Sequence, residues 1–144
     1  MGNRASQTAW HDAEIKVQNQ LRYHGIDSKR AKYDSPYDLQ TAHGLRIEVK
    51  WSSFITKANG GQGWSINAHR HNILDESEVN WYTCVLGSDP INLFGKAVLT
   101  LVIPAPVKTK SIVISPRSLA TRWARYVDDW HGLVEAEQAA GATA

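Results

Sequence analysis

Residues Leu45 to Ser52 alternate without a break between apolar and polar, and no other stretch of this chain constrains its folding as tightly. Period two marks a half-buried β-strand, because successive side chains leave a strand on opposite faces. Leu45, Ile47, Val49 and Trp51 fall on one face, and Arg46, Glu48, Lys50 and Ser52 on the other. The spacing predicts a strand that buries its apolar face and holds a carboxylate and an ammonium side by side in the open. A shorter run, Tyr37 to Thr41, puts Tyr37 and Leu39 on one face and Asp38 and Gln40 on the other. His43-Gly44 between the two runs is a turn signal, which suits an antiparallel hairpin. Its register can bring Asp38 towards Glu48.

Two carboxylates converging on a sheet surface repel unless a cation lies between them. Mg²⁺ meets that need, taking one or two carboxylates, several waters and a substrate phosphate. The backbone carbonyl of Val49 offers a further oxygen. Lys50, on the side of Glu48, is a point charge able to orient a water or to stabilise charge developing on phosphorus. These parts amount to metal-assisted phosphodiester hydrolysis. The plainer reading of Glu48 and Lys50 is a solvated pair worth only ~0–1 kcal/mol. Asp38, at a spacing that puts both acids on one hairpin face, weighs against it.

An N-terminal helix is expected from Ser6 to Tyr23, with Trp10, Ala13, Val17 and Leu21 at helical spacing, Ser6 as N-cap and Gly25 as the stop. Glu14 falls inside that apolar stripe. An acid there is costly unless a cation or a donor meets it. Either it reaches the stripe's edge and water, or it leans over the sheet as a third acidic group beside Asp38 and Glu48.

The helix with Glu14, then Pro36-Tyr37-Asp38, then Glu48-Val49-Lys50 resembles the PD-(D/E)XK nuclease superfamily, the restriction-endonuclease-like fold. Tyr37 separates the proline from the aspartate, a departure from a direct Pro-Asp pair, though many members lack that proline. The resemblance implies that Asp38, Glu48 and the Val49 carbonyl bind Mg²⁺, for which Mn²⁺ can substitute. It also implies that Lys50 positions or activates the attacking water and that Glu14 matches the helix-borne acid of many members. In size the chain is similar to Holliday-junction resolvases and to compact restriction or homing endonucleases. The implied fold is α/β, a central mixed sheet flanked by an N-terminal and a C-terminal helix. The implied activity is Mg²⁺-dependent cleavage of double-stranded or branched DNA. A homodimer or a higher even assembly is expected, since cutting two strands takes two sites. The alternatives are a non-catalytic nucleic-acid-binding protein on the same scaffold and a nuclease acting on RNA or single strands.

The rest of the chain fits one domain over 1–135, with 136–144 as a disordered tail. A net charge of +2 makes any attraction to nucleic acid local. No apolar run approaches the ~20 residues that span a bilayer. The start of the chain carries no signal peptide, and the single cysteine, Cys84, reads as a buried reduced thiol in a cytoplasmic or host-cell interior. Ala58 to Gly63 is a glycine-rich hairpin loop, and with Lys57 and Gln62 it is also a candidate for entering a DNA groove. His69, Arg70 and His71 invite a zinc reading, but no second Cys/His pair closes such a site. They are placed instead on a polar edge that can touch phosphate. Trp64 to Ala68, Trp81 to Leu86, Ala97 to Ile103 and Val107 to Ile114 read as strands, the middle two apolar enough to be central. Ser115-Pro116 opens a second helix, with Leu119, Trp123, Tyr126, Trp130 and Leu133 along one stripe.

Overall fold

The computed structural model describes residues 4–32, 35–56, 58–67, 79–87, 99–105 and 111–143. Helix α1 spans Arg4–Tyr23. Ala13, Val17 and Leu21 recur every four residues and are buried, which gives the helix one core-facing stripe. Gly25 takes φ 80 and ends it. The Gly25 amide donates to the Arg22 carbonyl and the Ile26 amide to that of Leu21. This is the paired cap of a Schellman motif, with Ile26 and Leu21 in one apolar cluster. Since α1 is already helical at Arg4, Ser6 lies within it and is not its N-cap.

Eight strands follow among the described residues: β1 Ser28–Arg30, β2 Leu39–Thr41, β3 Arg46–Ser52, β4 Ile55–Thr56, β5 Gln62–Asn67, β6 Trp81–Leu86, β7 Leu99–Pro104 and β8 Ser111–Ile114. They form a five-stranded sheet in the order β1-β2-β3-β6-β7 and a three-stranded sheet in the order β4-β5-β8. The larger sheet is mixed. β3 and β6 run parallel, whereas β1/β2, β2/β3 and β6/β7 are antiparallel. One face carries Leu39, Ile47, Val49, Val85 and Val102 against α1 and the C-terminal helix. The other carries Tyr82, Cys84, Leu86, Leu101 and Ile103 against the smaller sheet and the segment after β8. A central mixed sheet with an N-terminal and a C-terminal helix is the expected architecture, and both helices pack on the same face of it.

Several expectations need correction. The second helix is not continuous. It divides into α2 (Pro116–Ala120), a 3-10 turn (Ala124–Tyr126) and α3 (Trp130–Ala142). The cause is β7: Val127 bridges to Leu101, and the Asp128 amide donates to the Thr100 carbonyl with Asp128 at φ 50. An extended rung and a left-handed residue interrupt the helix between Tyr126 and Trp130. The tail expected over 136–144 is helical through Ala142, because Glu137 is buried and bonded. β7 is an edge strand of the described sheet, not a central one, though both its faces are covered. Trp51 is exposed while Ser52 is buried. Ser52 turns inward to accept the Ser65 amide on its hydroxyl, which ties β5 across the end of β3.

Candidate active site

The hairpin of β2 and β3 sets the site. Leu39 pairs with Ile47 and Gln40 with Arg46, and Asp38 immediately precedes β2, beside this end of the ladder. Backbone bonds hold Asp38 from both sides. Its amide donates to the Ile47 carbonyl at 2.9 Å, and its carbonyl accepts the Ala31 amide at 2.8 Å. The Val49 amide, which the next rung of the ladder would hand to Tyr37, donates to Asp38 Oδ2 at 2.7 Å instead. An amide bonded to a carboxylate is a strong contact, and it points the Asp38 side chain along the β3 edge. In an extended strand a residue's N–H and C=O leave on the same side. The Val49 carbonyl therefore turns to the Asp38 side as well.

Glu48 and Lys50 share the opposite face of β3 from Ile47 and Val49, as the alternation requires. Lys50 Nζ lies 3.9 Å from Glu48 Oε1, too far for a hydrogen bond, so the two meet as charges. The expectation that both stand in the open is overturned: their side chains are 5% and 12% exposed. Their face is the one the smaller sheet covers, and β5 is tied to β3 by the Ser65–Ser52 bond. Thr83 of β6 donates its hydroxyl to the Glu48 carbonyl. Cys84 pairs with Lys50 in the parallel ladder. Burial, with a smaller push from Glu48 against a pull from Lys50, raises the Cys84 thiol to about 12.

Glu14 is buried on α1 and accepts from Arg30 Nη2 at 2.8 Å. Its pKa is raised, first by burial and then by the negative charge of Asp38, and Arg30 offsets only part of this. The ion pair and the upward shift pull in opposite directions. Burial prevails because the Arg30 side chain is 48% exposed and its charge is screened by water. Glu14 thus senses the Asp38 charge and is buried, so it is not solvated at the stripe's edge. Arg30 was absent from the expected site. Its signal was the short basic run Lys29-Arg30, which declares no strand until β1 is seen paired to β2.

The donor set suits a hard cation. Asp38 and Glu48 offer two carboxylates and Val49 a carbonyl, while Arg30 balances Glu14. Mg²⁺ takes one or two carboxylates and fills its other positions with water and phosphate oxygens. Among the described residues no three His, Cys, Asp or Glu side chains gather as a self-sufficient metal site. Gln62 is exposed in β5 opposite Thr56, and no described contact joins it to the acids. Lys57, His69, Arg70 and His71 lie outside the described residues. A groove of about 770 Å³ between α1 and Trp130, lined by Asp12, Lys16, Tyr23, His24 and Asp128, contains none of the acidic pair.

No family model and no curated protein matches the sequence. The fold is similar to that of a solved bacterial homing endonuclease, at a TM-score of 0.64 and 16% identity over 100% of each chain. At that identity the likeness speaks for the fold.

Proposed function

We propose that this chain is a metal-dependent DNA endonuclease with a PD-(D/E)XK-type site formed by Asp38, Glu48 and Lys50. The observation that carries the reading is the Val49 amide locked onto Asp38 beside a buried Glu48 that faces an ammonium at 3.9 Å. A buried acid costs several kcal/mol unless a charge or donor compensates it. A solvated surface pair would need none of this enclosure. The fold likeness to a homing endonuclease supports the same conclusion.

Asp38, Glu48 and the Val49 carbonyl would hold Mg²⁺ or Mn²⁺, which supplies polarisation of phosphate oxygens and a more acidic water. The protein's own part is positional. The Val49 amide fixes the Asp38 carboxylate, and the ladder between β3 and β6 fixes Glu48. Lys50 orients the attacking water and neutralises charge growing on the phosphate. Arg30 keeps Glu14 from adding an uncompensated negative charge to ground that must accept a phosphodiester. Cleaving both strands takes two such sites, so the working form is a homodimer or a higher even assembly.

Supercoiled plasmid, a four-way junction and single-stranded DNA, each with Mg²⁺ and with EDTA, test this directly. Cleavage of DNA in Mg²⁺ alone is expected. Glu48→Gln and Lys50→Met should each lower the rate by about 10²–10⁴ while binding changes less than a few-fold. Near-normal cleavage by either variant, or undiminished cleavage in EDTA, refutes the mechanism.

A further inference from the structure

The chain's modest net charge conceals a strong segregation. From Pro90 to Val127 there is no Asp or Glu, yet the same span holds Lys96, Lys108, Lys110, Arg117, Arg122 and Arg125. The three arginines fall on described backbone, on α2 and the turns that follow it, and all three are exposed. Among the described residues none has a carboxylate within ion-pair distance. Two of them are bedded on aromatic rings: the Arg122 guanidinium lies 4.9 Å from the Trp123 ring centroid, and that of Arg125 lies 5.0 Å from that of Tyr126. Those rings are themselves neighbours, with centroids 5.9 Å apart. Stacking holds a guanidinium in place without using its in-plane donors. Its hydrogen-bonding fork stays available.

The location matters as much as the charge. Trp123 belongs to the apolar cluster that includes Tyr82 and Cys84, and Tyr126 packs against it. Tyr82 and Cys84 pair in the parallel ladder with Glu48 and Lys50, so all four side chains share one face of the larger sheet. The arginine segment lies on that face. On the same layer Tyr37, one residue before Asp38, packs against the cluster with the Arg46 guanidinium 5.3 Å from its ring centroid.

We infer that Arg117, Arg122 and Arg125 form a phosphate-tracking surface that holds the duplex DNA backbone on the Glu48–Lys50 side of the sheet. The inference rests on the nuclease reading above. These arginines touch no reacting atom. They supply affinity and the orientation of the duplex, and the stacked geometry of Arg122 and Arg125 lowers the entropy lost when these two meet a phosphate.

The test is fluorescence anisotropy of a labelled 30-base-pair duplex with the full chain in EDTA, across a range of salt. Each phosphate contact contributes about 0.9 to the slope of log Kd against log salt. The triple variant Arg117→Gln/Arg122→Gln/Arg125→Gln should reduce that slope by about 2–3 and weaken binding at least about tenfold at 0.1 M salt. The matching triple Arg→Lys variant keeps the charges and should recover most of the slope, which a role confined to folding would not give. With saturating DNA and Mg²⁺, the Gln variant's kcat should stay within a few-fold of wild type while its KM rises. Wild-type affinity and slope in the Gln variant overturn the inference but leave the nuclease reading standing. Failure of the wild-type protein both to bind and to cut duplex DNA overturns both.

Discussion

Glu14 is the residue whose environment argues most sharply with itself. Burial and the Asp38 charge favour its neutral form, and Arg30 favours its charged one, and on balance the pKa is raised. A carboxyl whose folded pKa lies above its unfolded value stabilises the fold fully below the unfolded pKa, here 4.5, and loses that contribution as pH rises through the folded value. Replacing Glu14 with Gln removes this titration. Thermal denaturation from pH 4 upward should therefore show the variant gaining on wild type as pH rises through and beyond 4.5. A difference in Tm that is flat across that range contradicts the account. Cys84 makes the complementary case. Its thiol, raised to about 12 and buried between strands, should resist iodoacetamide at pH 8 in the folded protein and react promptly in guanidinium. Ready labelling of the native protein would show that the Glu48–Lys50 layer opens.

The β2–β3 hairpin is the element on which the site depends, and the far end of the chain holds its turn. Glu137 on α3 accepts the Thr41 hydroxyl at 2.5 Å and the His43 amide at 3.2 Å, while the Thr41 hydroxyl accepts the Leu45 amide. Removing one partner of a buried charge-assisted bond costs about 1–3 kcal/mol or more. Glu137→Ala should lower Tm by about 2–8 °C, and truncation after Glu135 should lower it further. An unchanged Tm in both would return residues 136–144 to the role of a passive tail. Gly63 makes a second point at this scale. A Cβ there would lie 1.9 Å from the Ile114 carbonyl oxygen, so Gly63→Ala must push β5 from β8. These examples mark what was legible in the sequence. The period-two run of β3, the turn at His43-Gly44 and the helical stripe of α1 are local patterns, and they gave the β2–β3 hairpin without help. The burial of Glu48, the break after Tyr126 and the ordering of Glu137 come from partners 13 to 96 residues away, and no local pattern contains both members. Trp51 is exposed and Ser52 buried for the same reason, because β5 covers the polar face of β3 at its end while the alternation itself continues.

At the scale of the whole molecule, two apolar layers sandwich one sheet, and Glu48 belongs to the strand that both layers share. α1 and α3 brace β3 from one side, and the smaller sheet braces it from the other. A nuclease needs such a rigid β3, because a shift of about 1 Å at the reacting atoms costs on the order of 10²-fold in rate. The same compactness limits what one chain can do. It presents one acidic pair on one hairpin, whereas a double-strand break requires hydrolysis on two antiparallel backbones. A two-fold dimer resolves this, since its symmetry matches that of a duplex and offers each strand an equivalent site. Light scattering on the full chain should therefore give twice the monomer mass, alone or on DNA. Supercoiled plasmid should pass to linear product with little nicked circle. Mixing wild type with excess Glu48→Gln protein under conditions of subunit exchange should yield mostly nicked circle, because each mixed dimer cuts one strand. A protein that stays monomeric on DNA, or a mixture that still linearises plasmid at the wild-type ratio, would mean that one site cuts both strands in succession.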